Sequence, residues 1–170
     1  MSPNPPSTSK AIQPFIILAV MAIATFYLVN VFNTSDWLWF KSETVDARPS
    51  RIIIRDHGQE TLYAPGYAGY EELADAVELS LSRLDNSALI DVGLSEVTLA
   101  EYQTSSVVME LYFDRPVNFH TQARIGEPTQ LLIPLQGRHA GNGYVFLGAR
   151  GEWWVGALRM ADDSPLYTTL

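Results

Sequence analysis

Three histidines are the side chains of this sequence best suited to acid–base or metal chemistry, namely His57, His120 and His139. No two of them have the spacing of a metal-binding helix, and none belongs to an H-E-x-x-H or H-x-E pattern. Each lies in or beside a predicted turn, where an imidazole exposed to water needs no catalytic role. We therefore expect no metal ligands and no catalytic residues, and a hydrolase site assembled in space from these histidines stays as an alternative.

The other reactive residue types are missing or lack the required spacing. The chain has no cysteine, which excludes thiolate catalysis, disulfides and iron–sulfur clusters. It has no G-x-S-x-G pattern of a nucleophilic serine. The segment Gly141-Asn142-Gly143 is followed by neither a Lys-Ser/Thr pair nor a predicted helix, so it is typical of a hairpin turn and not of a phosphate loop. We expect no cofactor.

The aromatic pair Trp153-Trp154 is the feature that most suggests binding. Adjacent residues of a strand face opposite sides of the sheet, so one ring faces the helix side and the other needs separate cover. Without that cover, an exposed ring would form a partner-binding surface. With their neighbours on the hairpin, the candidate partner-binding residues are Trp153, Trp154, Arg159, Tyr144 and Phe146. A two-sided core that buries both rings is the simpler alternative, because large aromatic side chains are mostly buried or half-buried.

A long apolar run, from Phe15 to Phe32, lies near the N-terminus and contains no charged residue and no glycine. As a helix with a rise of 1.5 Å per residue it is about 27 Å long, close to the roughly 30 Å of a bilayer core. Because a backbone in lipid must satisfy its own hydrogen bonds, the run predicts a single transmembrane helix over residues 11–33. The Pro/Ser-rich residues 1–10 predict a disordered tail.

Residues 34–50 predict an interfacial belt followed by a stalk. Trp37, Trp39 and Phe40 are aromatic side chains of the kind that settle at a membrane surface. No A-x-A-like site follows the apolar run, so we expect a retained anchor and not a cleaved signal peptide. The short N-terminal tail favours a cytoplasmic N-terminus and an extracytoplasmic C-terminal domain, because long domains translocate largely regardless of charge.

Beyond the stalk the sequence predicts one domain over residues 51–160 and an irregular tail over 161–170. Turn residues separate six runs of strand character. These runs are 51–55, 59–63, 107–113, 129–135, 144–149 and 152–160. Pro134 favours an edge position for the fourth run, because proline cannot donate to a strand ladder.

One helix of the domain is clear from its periodicity. The leucines and the valine at positions 73, 77, 81 and 84 share one face and predict a helix over 70–84. Residues 88–103 fit either a short helix capped near Ser95 or a strand. Strands in a run with one main helix indicate an α+β fold, in which a mostly antiparallel sheet carries the helix on one face.

The charge of the chain limits its partners. The formal net charge is −8, and Lys10 is the only charged side chain before residue 33. The remainder is therefore acidic and repels nucleic acid and anionic lipid headgroups. The partners that we expect are the lipid bilayer, through residues 11–33, and a membrane or envelope protein.

An anchor joined to a domain without catalytic residues predicts a membrane-anchored accessory or regulatory protein that is not an enzyme. Its extracytoplasmic domain would bind the partner, and tethering would raise the effective concentration of the domain near that partner. The first alternative is an envelope sensory or ligand-binding module that uses the sheet face around Trp153 and Trp154. The second alternative is a hydrolase.

Overall fold

The structure is a computed structural model that describes residues 8–34, 47–86, 88–119, 121, 123 and 125–170. The chain divides into two compact units, Met1–Ser42 and Glu43–Leu170. The predicted membrane-interface residues Trp37, Trp39 and Phe40 lie outside the described residues, as does most of the predicted stalk.

Helix α1, Thr8–Thr34, accounts for the described part of the first unit. Its segment Ile12–Phe32 has a mean hydropathy of 2.4 and is long and apolar enough to cross a membrane. The polar side chain of Asn30 bonds within the helix, where Nδ2 donates to the carbonyl oxygen of Phe26 at 2.8 Å. The prediction of one apolar N-terminal helix is confirmed, although α1 begins at Thr8 and so includes part of the predicted tail.

Six strands form one antiparallel sheet in the second unit. They are β1 (Arg51–Asp56), β2 (Gln59–Tyr63), β3 (Val107–Tyr112), β4 (Gln130–Gln136), β5 (Tyr144–Ala149) and β6 (Glu152–Arg159). Their order across the sheet is β2-β1-β3-β4-β5-β6, and each neighbouring pair is antiparallel. The α+β prediction, with its mostly antiparallel sheet, is confirmed.

The prediction that the strand of Pro134 lies at an edge of the sheet is wrong, because β4 lies between β3 and β5. The pairing of β4 with β5 covers only Gln130–Leu132, so Pro134 lies beyond it. On its other side Pro134 is opposite Val108, next to a register shift in the β3–β4 pair. A proline is therefore accommodated in a central strand where the ladder is incomplete.

Three helices accompany the sheet in the described part of the second unit: α2 (Tyr70–Leu81), α3 (Glu96–Thr104) and α4 (Ser164–Thr169). Helix α2 ends at Leu81, three residues before the predicted end at residue 84, because Leu84 instead forms a β-bridge with Met160. For residues 88–103, where the sequence fits either a short helix or a strand, the structure shows the short helix α3. Its N-cap is Ser95, whose Oγ accepts a hydrogen bond from the amide of Thr98 at 3.2 Å.

The sequence predicts an irregular tail over residues 161–170, but this segment contains α4. The side chain of Leu166 is fully buried in the core that α2 also contacts. Pro165 lies in the first turn of the helix, where its missing N–H is not needed. Burial of one leucine thus organises a segment whose sequence has too few apolar positions to show a helical period.

Both faces of the sheet are covered. On one face, buried residues of α2 and α4 pack against strand residues such as Ile52, Leu111 and Leu147. On the other face, Tyr102 of α3 packs against Val108 and Phe146. The sheet therefore lies between two apolar layers, the larger of which contains α2.

Residues 47–50, which the sequence assigns to a stalk, belong to the folded domain in the structure. Ala47 is fully buried, and the buried hydroxyl of Tyr70 donates to the carbonyl oxygen of Pro49 at 2.5 Å. The Arg48 guanidinium contacts three carboxylates of α2. These are Glu71, Asp75 at 2.7 Å and Glu78 at 2.8 Å. Contacts over a long sequence separation thus fix residues 47–50 to α2, which no local pattern indicates.

Candidate functional site

The predicted aromatic patch is divided by the sheet. Trp154 packs with the larger core beside Gly126, while Trp153 packs with the smaller core on the opposite face. Both rings are half-buried. Phe146 is fully buried in the smaller core, so the structure corrects its expected place on an exposed patch. The alternation that the sequence predicts for the two tryptophans is present, and it produces a two-sided core.

The two hairpin residues that complete the predicted patch are Tyr144 and Arg159, which lie opposite each other in the β5–β6 pair. Tyr144 is half-buried and its ring meets that of Phe146 edge-on, with centroids 6.4 Å apart. Arg159 is exposed and its Nε donates to Asp85 Oδ1 at 2.6 Å. The charge of Arg159 therefore already has a carboxylate partner within the domain.

The described histidines do not form a catalytic arrangement. His57 lies in the β1–β2 turn, where its Nδ1 is 2.5 Å from Oδ1 of the exposed Asp56. His139 lies in the β4–β5 loop, with its ring centroid 5.5 Å from that of Phe146. Among the described residues, no serine or threonine hydroxyl bonds to either imidazole, and no three His, Asp or Glu side chains are placed to hold a metal ion. His120 lies outside the described residues.

A cleft at one end of the sheet is the best candidate for a functional site. It has a volume of about 720 Å³ and is open to solvent. Its lining comes from the start of β1, the end of β3, the start of β4 and the β5–β6 turn, which meet at one end because neighbouring strands are antiparallel. The lining residues are Ser50, Arg51, Pro65, Tyr112, Phe113, Asp114, Thr129, Gln130, Arg150 and Gly151. We refer to this set as the arginine cleft.

One wall of the arginine cleft is a cross-strand pair. Arg51 and Tyr112 are opposite each other in the β1–β3 ladder, and the Arg51 guanidinium carbon lies 4.2 Å from the centroid of the Tyr112 ring. The Tyr112 hydroxyl donates to Glu110 Oε2 at 2.7 Å. Burial, together with this hydrogen bond, raises the pKa of Tyr112 to about 12. The phenol thus stays neutral, and its ring face can hold the cation by a cation–π contact.

The opposite wall is the turn Arg150-Gly151 between β5 and β6. Both residues have positive φ, 55° for Arg150 and 83° for Gly151, as a two-residue hairpin turn requires. Gln130, whose side chain is almost fully buried, holds this turn from β4. Its Oε1 accepts from the Gly151 amide at 3.0 Å, and its Nε2 donates to the Glu152 carbonyl oxygen at 3.0 Å. The backbone of the turn is therefore fixed, while the Arg150 side chain is exposed.

Of the eight arginines that the structure describes, four have no ion pair with a described residue, and these are Arg51, Arg83, Arg115 and Arg150. Four arginines of the described part contact carboxylates: Arg48, Arg55, Arg138 and Arg159. Neither Arg51 nor Arg150 contacts a carboxylate within the described residues. In a chain with 19 acidic and 11 basic side chains, two unpaired arginines in one cleft favour an anionic ligand.

No family model, curated protein or solved structure matches this chain. The proposals below therefore rest on the geometry and charge of the chain's own residues.

The sequence did not predict the arginine cleft, because its lining comes from five separate segments. In the sequence, Arg51 is only the first residue of a predicted strand, and Arg150 is only a turn residue. Two local features of the sequence are consistent with a site at this end of the sheet. Arg-Gly is an uncommon choice for a turn that favours Asn-Gly or Asp-Gly, and Gln130 is a polar residue at the start of an apolar strand.

Proposed function

We propose that this protein is a single-pass, membrane-anchored accessory or regulatory protein. Helix α1 would span the bilayer, and the α+β domain would bind a second membrane or envelope protein. The proposal includes a cytoplasmic N-terminus and an extracytoplasmic domain. It assigns no catalytic activity to the chain.

The observation that carries the proposal is the arginine cleft on a domain that follows an apolar helix. Its two unpaired guanidiniums and its fixed backbone suit recognition, and no acid–base or nucleophilic pair lines it among the described residues. Only residues 35–46 separate α1 from the buried Ala47. So short a connection would keep the domain at a high effective concentration near any partner in the same membrane, and a weak contact would then suffice.

The experiment is affinity purification of the tagged full-length chain from its own membranes in mild detergent. A matched variant carries an unrelated apolar helix in place of residues 11–33. We expect one protein to co-purify in stoichiometric amount with the natural chain. Its retention by the helix-swapped variant would assign the contact to the domain, and its loss would assign the contact to α1. Recovery of both forms as lone monomers would contradict the proposal.

The orientation has its own test. Protease added to intact cells should digest the domain while the N-terminal tail stays protected. A tag placed before residue 8 and a tag placed after residue 170 provide the two readouts. Protection of the C-terminal tag until the membrane is permeabilised would reverse the proposed orientation.

A ligand-binding or sensory module is the second candidate, and the volume of the arginine cleft favours it. About 720 Å³ lies within the range of roughly 300–1,000 Å³ that is typical of small-molecule sites. This candidate places the ligand in the cleft and not on the sheet face around Trp153 and Trp154, since both rings are half-buried. A partner-free domain that binds a small anion from a cell extract would favour it over the first.

A further inference from the structure

We infer that the arginine cleft binds a carboxylate group carried by a peptide segment of the partner. The inference rests on the proposed function, because it names the chemistry by which the domain would hold that partner. The carboxylate can come from an acidic side chain or from a chain terminus. The shared recognition element is a planar anion between Arg51 and Arg150.

The charge balance of the domain supports an anionic ligand. Carboxylates are in excess throughout the domain, yet Arg51 and Arg150 contact none of those within the described residues. An arginine presents a planar fork of N–H donors that matches a carboxylate in a bidentate manner. A carboxylate of the ligand would give Arg51 and Arg150 an ion-pair partner, which the four paired arginines already have within the chain.

The Arg51 guanidinium and the backbone that carries Arg150 are positioned before any ligand arrives. Arg51 lies over the ring of Tyr112, so its guanidinium is held in place, and no carboxylate of the described residues contacts its N–H donors. Arg150 projects from a turn that Gln130 holds by hydrogen bonds to both Gly151 and Glu152. Gln130 is thus a positioning residue. Preorganised donors lower the entropy lost on binding and so favour even a short peptide.

The remaining lining favours a peptide over a multivalent anion such as a nucleic acid phosphate chain. Asp114 is exposed in the same cleft and would repel a second negative charge, but it can accept a hydrogen bond from a peptide N–H. The Thr129 hydroxyl adds a neutral donor and acceptor. Pro65 and Phe113 add apolar surface for an adjacent side chain. This mixture of one net positive charge, polar groups and apolar groups suits a peptide that carries one carboxylate.

Two synthetic peptides and one inorganic anion test the inference on the full-length chain in detergent micelles. The first peptide carries a single glutamate among glycine, serine and leucine residues and has blocked termini. The second contains only glycine, serine and leucine and has a free C-terminal carboxylate. Inorganic phosphate is the third probe. The measurement is the dissociation constant of each probe, from chemical-shift changes or fluorescence anisotropy at low salt and again at about physiological ionic strength.

Three variants test whether Arg51 and Arg150 bind the carboxylate. Arg51→Gln and Arg150→Asn each remove one guanidinium, and asparagine tolerates the left-handed backbone at position 150. Arg115→Gln is the matched control, because Arg115 is exposed, does not line the cleft and has no ion pair with the described residues. We expect each cleft variant to weaken peptide binding by about tenfold or more, as loss of a charge-assisted hydrogen bond does, and the control to leave it unchanged.

The outcomes separate this inference from the proposed function. Tighter binding of the first peptide assigns the carboxylate to an acidic side chain, and tighter binding of the second assigns it to a chain terminus. Binding of phosphate alone, or peptide binding that the three variants affect equally, would overturn the inference. If the peptides fail while a membrane protein still co-purifies with the cleft variants, the proposed function stands and this site is wrong.

Discussion

The amide of Gly151 donates a hydrogen bond to Oε1 of Gln130 at 3.0 Å, which joins the β5–β6 turn to the start of β4. The same side chain donates from Nε2 to the carbonyl oxygen of Glu152 at 3.0 Å. One buried amide therefore satisfies both sides of the turn that carries Arg150. The arginine cleft depends on this contact, because the turn forms one of its walls.

Replacement of Gln130 should destabilise the domain. In Gln130→Met the side chain keeps a similar length but leaves the Gly151 amide and the Glu152 carbonyl without their partner. We expect a loss of about 1–2 kcal/mol in the free energy of unfolding, the net value of two ordinary hydrogen bonds, because Gly151 and Glu152 are exposed. Urea denaturation of the full-length chain in micelles, followed by tryptophan fluorescence, measures it. Gln59→Met, at an exposed position of β2, is the control and should change stability little.

The cluster around Arg48 should stabilise the start of the domain. Arg48→Gln removes a cation that contacts Glu71, Asp75 and Glu78. These groups are largely accessible to water, so we expect only about 1 kcal/mol of destabilisation, and less at high salt. Limited proteolysis should also cut the variant faster near residue 47. An effect that is independent of salt would show that packing of Arg48 on the Tyr70 ring, and not ion pairing, is responsible.

Gly148 should not tolerate a side chain. A Cβ at this position would meet the Glu152 carbonyl oxygen, lie 2.8 Å from Gln130 Nε2 and lie 2.9 Å from Trp153 Cε3. Gly148→Ala should therefore cost about 1–3 kcal/mol, because neither the strand nor the turn can move apart freely. The matched change is Gly93→Ala, where a Cβ would find its nearest neighbour, in Val155, at an ordinary 3.6 Å. Equal thermal stability of the two variants would refute the tight contact at Gly148.

His139 should make the domain less stable in mild acid. Burial, reinforced by Arg138, lowers the pKa of His139 below its usual 6.5 in the folded chain. The unfolded chain therefore binds the proton more readily, and this contribution to stability is lost as pH falls through 6.5 towards the folded pKa. His139→Asn keeps a residue suited to the positive φ of 67° and removes the titrating group. Between about pH 7 and pH 5 the variant should lose less stability than the natural chain, and parallel curves would contradict this cause.

The sequence predicts those elements whose determinants are local. The six strands follow β-branched and aromatic runs between turn residues, and α2 follows the spacing of Leu73, Val77 and Leu81. Helix α3 could not be told from a strand, because its one clear signal is the cap at Ser95 and its buried residues are only Thr98 and Tyr102.

The features that escaped prediction depend on tertiary contacts. The position of residues 47–50 is set by Arg48 reaching across to α2, and α4 is held by the burial of Leu166. The arginine cleft requires the strand order, since Arg51 and Arg150 are far apart in sequence and line one cleft only because the strand ends align. Composition signals an acidic domain, but it does not show which arginines lack a partner.

Site-specific photo-crosslinking in intact cells tests the central claim most directly. A photoreactive amino acid is placed at Asp114 in the arginine cleft and, as the control, at Leu79, which is exposed on α2. If the protein is a membrane-anchored accessory protein that binds through its domain, irradiation should join one membrane or envelope protein to position 114 and not to position 79. Absence of any such adduct from the cleft, with the protein correctly inserted and folded, would contradict the account.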